Sequence, residues 1–258
     1  LITNHFELGR FLEMKDVIGD VTMDVKIDGE GFTKTDLVAN LDGNISQIVF
    51  KDYEYNNVKL KGDFNNQIFS GFMGVEDENV SFDFDGRADF SYEVPRFNFV
   101  SNIKNAKLAK LNFIDSRKKL KTRFSTQLKV DLEGNELNNM TGNIAILNSK
   151  YYDMLDSIIV DSTLIVSSKS DTTRKISIRS DVLDFDMEGI FSFSDLTNTA
   201  QYFIEKYIPS FKTETPGGLP LKHDFTFNFE LHNSDIISKI LLGGAKFSPH
   251  TSFSGLYN

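Results

Sequence analysis

The chain has 258 residues, 40% of them apolar and 25% charged, with a net charge of −9, no cysteine and no tryptophan. That is enough apolar material for an ordered core, in one large β domain or two ordinary ones. Disulfides and cysteine-held metals are excluded, and lysines scattered among an excess of carboxylates speak against a nucleic-acid partner.

In chain order, the opening Leu1-Ile2-Thr3-Asn4-His5 carries neither the charged start nor the apolar run of a secretory signal, and the chain reads as a section of something longer. Val21, Met23, Val25 and Ile27 then alternate with Thr22, Asp24, Lys26 and Asp28. This period of two predicts a strand with one dry and one wet face, as in an antiparallel sheet. Val80, Phe82 and Phe84 repeat the pattern against Ser81, Asp83 and Asp85, which are read as the wet side. Glu76-Asp77-Glu78-Asn79 before them reads as a solvated hairpin turn. Asn105–Leu111 predicts a short helix or turn, and Ile158, Val160, Leu164 and Val166 share one strand parity. Phe203, Ile204, Tyr207 and Ile208 fall at helical spacing, behind Thr197 or Ser194 as cap and closed by Pro209. After a Pro- and Gly-rich loop over 213–220, Phe225, Phe227, Phe229 and Leu231 predict another strand. A last helical stripe, Ile236, Ile237, Ile240 and Leu241, follows Asn233 or Ser234 as cap. No stretch reaches the ~18 apolar residues of a membrane-spanning helix.

Four segments recur in order. Val25–Gly31 resembles Leu128–Gly134, Asn40–Ile45 resembles Asn139–Ile144, Lys51–Tyr55 resembles Lys150–Met154, and Phe82–Gly86 resembles Phe185–Gly189, at offsets between 99 and 103 residues. The chain is therefore expected to hold two β-repeat units, residues 1–125 and 126–258, in one continuous domain, with His223–Leu231 starting a third copy. Units of this kind stack because one alone does not cover its own apolar face.

Motifs that carry chemistry are missing. His5, His223, His232 and His250 show no metal-ligand spacing and read as solvated, and Asp83-Phe84-Asp85-Gly86 lacks the ligand series of a Ca²⁺ loop. No nucleophile elbow, phosphate loop or dinucleotide fingerprint is present, so no enzyme activity, no cofactor and no metal are expected. With 24 Phe against 8 Tyr, the interior lacks polar handles, which suggests a dry surface and disfavours a sugar-stacking lectin. Taken alone, the apolar stripes favour a closed core over an open groove.

Gly43-Asn-Ile45, Tyr53-Glu-Tyr55-Asn-Asn-Val-Lys-Leu-Lys-Gly62-Asp-Phe64, Phe69-Ser-Gly71 and Asp77-Glu-Asn79-Val80-Ser-Phe82-Asp-Phe84-Asp-Gly86, followed by Asp89-Phe90-Ser91, resemble the TamB family of the AsmA-like superfamily, in its Bacteroidota form. The likeness is clearest over residues 40–115; in the second copy Met154 stands where Tyr55 does. The resemblance implies a mainly β fold, an elongated curled antiparallel sheet (a β-taco or groove) of repeated strand units with a few short helices. It implies a periplasmic body, anchored in the inner membrane in the full-length protein, that meets a BamA-like outer-membrane barrel. The implied work is carriage of phospholipid or another acyl-chain ligand between the membranes, in support of outer-membrane biogenesis.

On that reading the lining comes from Val21, Met23, Val25, Ile27, Ile48, Phe50, Val58, Leu60, Val80, Phe82 and Phe84, with Leu128, Val130, Ile144, Ile146, Ile158, Val160, Phe185, Phe191 and Phe193 in the second copy. Ile45 falls out of parity with Ile48 and Phe50. Two alternatives stand beside it. One is a scaffold that pairs strands of nascent outer-membrane proteins at its sheet edge; the other is a closed β-sandwich binding module.

Overall fold

A computed structural model describes residues 2–11, 15, 18–31, 33, 35–114, 121–136, 138–153, 156–193, 196, 223–236, 248 and 250–257. The alternating segments become strands β1 (Ile2–Phe6), β2 (Ile18–Glu30), β3 (Val38–Phe50), β4 (Tyr53–Asn65), β5 (Ile68–Asp77), β6 (Val80–Asp89) and β7 (Arg96–Ala106). They continue as β8 (Arg123–Glu133), β9 (Thr141–Asp153), β10 (Asp156–Lys169), β11 (Arg174–Ser180), β12 (Leu183–Ile190), β13 (Asp224–Leu231) and β14 (Ser252–Tyr257). The one complete helix among the described residues, α1 (Leu8–Phe11), joins β1 to β2.

The fold is mainly β: fourteen strands form one antiparallel sheet, in sequence order from β1 to β14, that does not close into a barrel. It is a single sheet, not the two facing sheets of a sandwich. The chain packs as two compact units, one of residues 1–132 with 144–162 and one of 133–143 with 163–258. The expected helix over 200–209, the loop over 213–220 and Ile237, Ile240 and Leu241 lie outside the described residues. Ser234–Ile236 does begin a helical turn, and the Asn233 side chain caps it by accepting from the Asp235 and Ile236 N–H groups at 3.2 and 3.4 Å.

Register explains why one face stays apolar. Opposite Met23 and Thr22 the β2–β3 ladder shifts by one residue, so that Ile45 and Gln47 pair there and Ser46 bulges out. Ser46 Oγ donates to the Thr22 carbonyl at 3.0 Å. On the other side β4 makes room with Asn57, held at a φ of 55° while its neighbours Val58 and Asn56 pair with Ile45 and Gln47. A one-residue insertion flips strand parity, and this one returns Ile45, Ile48 and Phe50 to a common face.

The ladders of the two units share a register. In β5–β6–β7 the rows run Val75–Phe82–Ile103, Met73–Phe84–Ser101 and Gly71–Gly86–Phe99. In β11–β12–β13 they run Ile178–Phe185–Phe229, Ile176–Met187–Phe227 and Arg174–Gly189–Phe225. The strand pattern therefore recurs after six strands, and so do its connections. The links from β1 to β2, from β7 to β8 and from β13 to β14 carry α1, the turn after Ala106 and the Asn233-capped turn.

Candidate apolar face

In unit 1 apolar residues meet across successive strands on the same face. One row runs Met23–Ile45–Val58–Val75–Phe82–Ile103 from β2 to β7, and the next runs Val25–Gly43–Leu60–Met73–Phe84–Ser101. Cross-strand pairs of this kind are the unit of sheet stabilisation. The opposite face is wet: Lys26, Asp42, Lys61, Phe72, Asp85 and Val100 pair across the same strands. Phe72 and Val100 are 41% and 37% exposed there, the apolar exceptions on a charged row.

Glycines let the strands approach closely on the apolar side. A Cβ on Gly86 would lie 2.5 Å from Phe99 Cα and 2.3 Å from the Asn98 carbonyl, and one on Gly71 2.5 Å from Gly62 Cα. Glycine kinks of this kind bend a sheet across the strand direction.

Polar groups hold one end of the face. The Tyr53 hydroxyl donates to Asp77 at 2.5 Å and accepts from the Asn79 amide at 2.8 Å. Asp77 also accepts from the Asn79 and Asn56 N–H groups at 2.9 and 3.2 Å. The hairpin turn read from the sequence is there, with Glu76 and Glu78 exposed, but Asp77 and Asn79 depart from the solvated reading and form a partly buried clamp, with Asn79 3% exposed. Burial pushes the Tyr53 hydroxyl up to about 12, with Asp77 and Glu78 adding and the bond from Asn79 opposing. Burial likewise pushes Tyr55 up to about 12, helped by Tyr53 and Asp77. A folded-state pKa above the unfolded value of ~10 means that the folded state keeps a proton the unfolded chain has lost. Stability is therefore full below pH ~10 and falls between about 10 and about 12. Tyr55, 5% exposed, contributes on the order of 2 kcal/mol to that fall. Denaturant titrations should show the slope, and Tyr55→Phe should flatten it.

Unit 2 carries its own apolar rows, Ile165–Ile178–Phe185–Phe229–Phe253 and Ser167–Ile176–Met187–Phe227–Gly255. Leu164 and Val166 pair instead with Arg179 and Ser177 on the wet side, and Leu164 is 43% exposed. They do not share the parity of the half-buried Ile158 and Val160, because Asp161 and Ser162 are both exposed and alternation restarts after them. His223 is 2% exposed, with its ring 6.1 Å from both Phe225 and Tyr257, which corrects its reading as solvated. Among the described residues no group of three or more His, Asp or Glu is placed to hold a metal ion.

The proposed lining divides by burial. Val21, Val25 and Val58 are fully buried and Val80 and Val130 nearly so, and all five act as core, whereas Ile27 is 39% exposed. Met23, Ile48, Phe50, Leu60, Phe82 and Phe84 are half-buried on the unit 1 face. Leu128, Ile144, Ile146, Phe185, Phe191 and Phe193 are half-buried as well. Val75, Tyr55, Leu111 and Leu231, at most 5% exposed, belong to the interior although the sequence pattern did not mark them as lining. Val75 is legible in the Phe69, Gly71, Met73, Val75 alternation, which its glycine interrupts. No family model, no curated protein and no solved structure matches the chain.

Proposed function

We propose that this chain is a non-catalytic section of a TamB-like, periplasm-spanning envelope protein whose apolar sheet face carries phospholipid acyl chains between the inner and outer membranes. The observation that supports it best is the uninterrupted apolar row from Met23 on β2 to Ile103 on β7, repeated in register over β11–β14. A chain of ~16 carbons leaving a bilayer exposes surface worth ~0.8 kcal/mol per CH₂, on the order of 12 kcal/mol. Rows of Phe, Ile, Val and Leu offset that without a specific contact that would trap the ligand. Ile45, Val58 and Val75 of the first row are already covered and form its floor, so the half-buried residues, Leu60, Phe84 and Phe229 among them, are those left for a ligand.

Native mass spectrometry and lipid extraction of the purified chain test this. Wild type should carry phospholipid, and Phe84→Asp and Phe229→Asp, folded by circular dichroism, should lose on the order of tenfold or more of it. A lipid-free wild type, or folded variants that load equally, would sink the reading.

A further inference from the structure

The turn over residues 107–113, which follows β7, sits on the unit 1 apolar face. Leu111, 2% exposed, belongs to the buried cluster with Val21, Tyr55 and Val80, and Leu108 packs against the same cluster. The turn is built differently from the strands beneath it. Its backbone bonds close on itself, from Lys110 N and Leu111 N to the Lys107 carbonyl and from Phe113 N to the Leu108 carbonyl, with one bond from Lys107 N to the Asn79 carbonyl.

Side chains tether it at two points. Lys107 Nζ donates to Asn79 Oδ1 and to the Glu78 carbonyl, both at 3.0 Å. Asn112 Nδ2 donates to the Lys51 carbonyl at 3.1 Å, and Lys51 Nζ lies 5.5 Å from the centre of the Phe113 ring, which is itself 48% exposed. Strands β3 to β6 are bonded along both edges, so lifting the turn costs far less than opening the sheet.

We propose that this turn is a gate on the lipid-carrying face: Leu108 and Leu111 occupy hydrocarbon positions that an acyl chain takes when the turn lifts. The proposal rests on the lipid-carrying reading. An acyl segment re-covers the surface that the two leucines leave, but each leucine then meets water and loses its own apolar burial, so the turn rests closed and the Asn112 and Lys107 tethers add to that bias. The recurrence of a turn or helix in the β1–β2 and β13–β14 links places a similar element at the same phase of the strand pattern.

The chain has no cysteine, so thiols placed by Lys51→Cys and Phe113→Cys are the only ones present. Joining them with a short bis-methanethiosulfonate linker locks the turn down, and a reductant releases it. Uptake of a fluorescent phosphatidylethanolamine from phosphatidylethanolamine/phosphatidylglycerol vesicles is then followed for the linked, released and unlinked forms. The expected result is uptake at least about tenfold slower when linked, restored by the reductant, with Asn112→Ala faster than wild type. Equal uptake by linked and unlinked forms overturns the gate and leaves the lipid-carrying reading standing. No uptake by any form, wild type included, overturns both.

Discussion

Gly86→Ala is expected to destabilise unit 1 by about 3 kcal/mol, while Gly74→Ala, one strand away, leaves stability unchanged or raises it by about 0.5 kcal/mol. The two glycines sit in strands β6 and β5 of one sheet and differ in what a methyl group would meet. At Gly86 it would meet backbone, the Asn98 carbonyl at 2.3 Å and Phe99 Cα at 2.5 Å, with φ at 156°. Neither β6 nor β7 is able to step aside without breaking its ladder. At Gly74 the methyl meets only the tip of the exposed Phe72 ring, at 2.9 and 3.0 Å, and that ring is free to turn into solvent. There the reduced entropy of the unfolded chain outweighs the small cost of moving the ring. Gly189→Ala should repeat the Gly86 cost in unit 2, since its Cβ would lie 2.5 Å from Phe225 Cα. Urea midpoints for the three variants measure this directly, and equal midpoints for Gly86→Ala and Gly74→Ala would refute the close strand approach.

Arg174→Ala should cost unit 2 on the order of 3 kcal/mol, and Arg174→Lys should recover little of it. Arg174 pairs with Gly189 as Gly71 pairs with Gly86, so an arginine stands where the first unit has a glycine. Its side chain is 6% exposed and reaches over the Phe193 ring at 5.0 Å. The guanidinium donates to the carbonyls of Asn138 and Met140, and burial lowers its pKa. Asn138 in turn accepts from the Phe193 N–H at 2.8 Å and the Ser192 hydroxyl at 3.2 Å. Truncation removes a planar fork that joins two segments, and a lysine ammonium does not span both carbonyls over an aromatic ring. Alongside the urea midpoint, amide exchange at Phe193 should quicken in both variants. Unchanged exchange there would mean that Arg174 does not hold the segment.

The strand content of the chain was legible wherever alternation ran unbroken, as in Val21–Ile27 and Phe225–Leu231, because period two has one physical cause. It failed at the bulges. Ile45 is out of step in the sequence because Ser46 and Asn57 each absorb a residue, and Leu164 reads as buried because Asp161 and Ser162 reset the parity unannounced. Nothing in a run of letters marks those insertions. The His223 environment was hidden for another reason: its ring neighbour Tyr257 lies on a strand 34 positions away. The Leu108 and Leu111 turn reads as local structure between Asn105 and Leu111, but its seat on Val21 and Tyr55 depends on contacts across five strands.

Because the strand order in the sheet is the strand order in the chain, every ladder joins sequence neighbours. Loop closure is short at most steps, with 2 to 7 residues between successive strands from β2 to β7 and from β8 to β12, and the low contact order of those runs favours rapid, stepwise assembly. Each hairpin of those runs is able to dock on the last as the polypeptide emerges, with no strand left waiting for a distant partner. The bond from Asn112 to Lys51 spans 61 residues, beyond the reach of any single hairpin. The turn after β7 therefore settles only once the strands before it are paired, and it is the first piece of unit 1 expected to leave when the sheet is stressed.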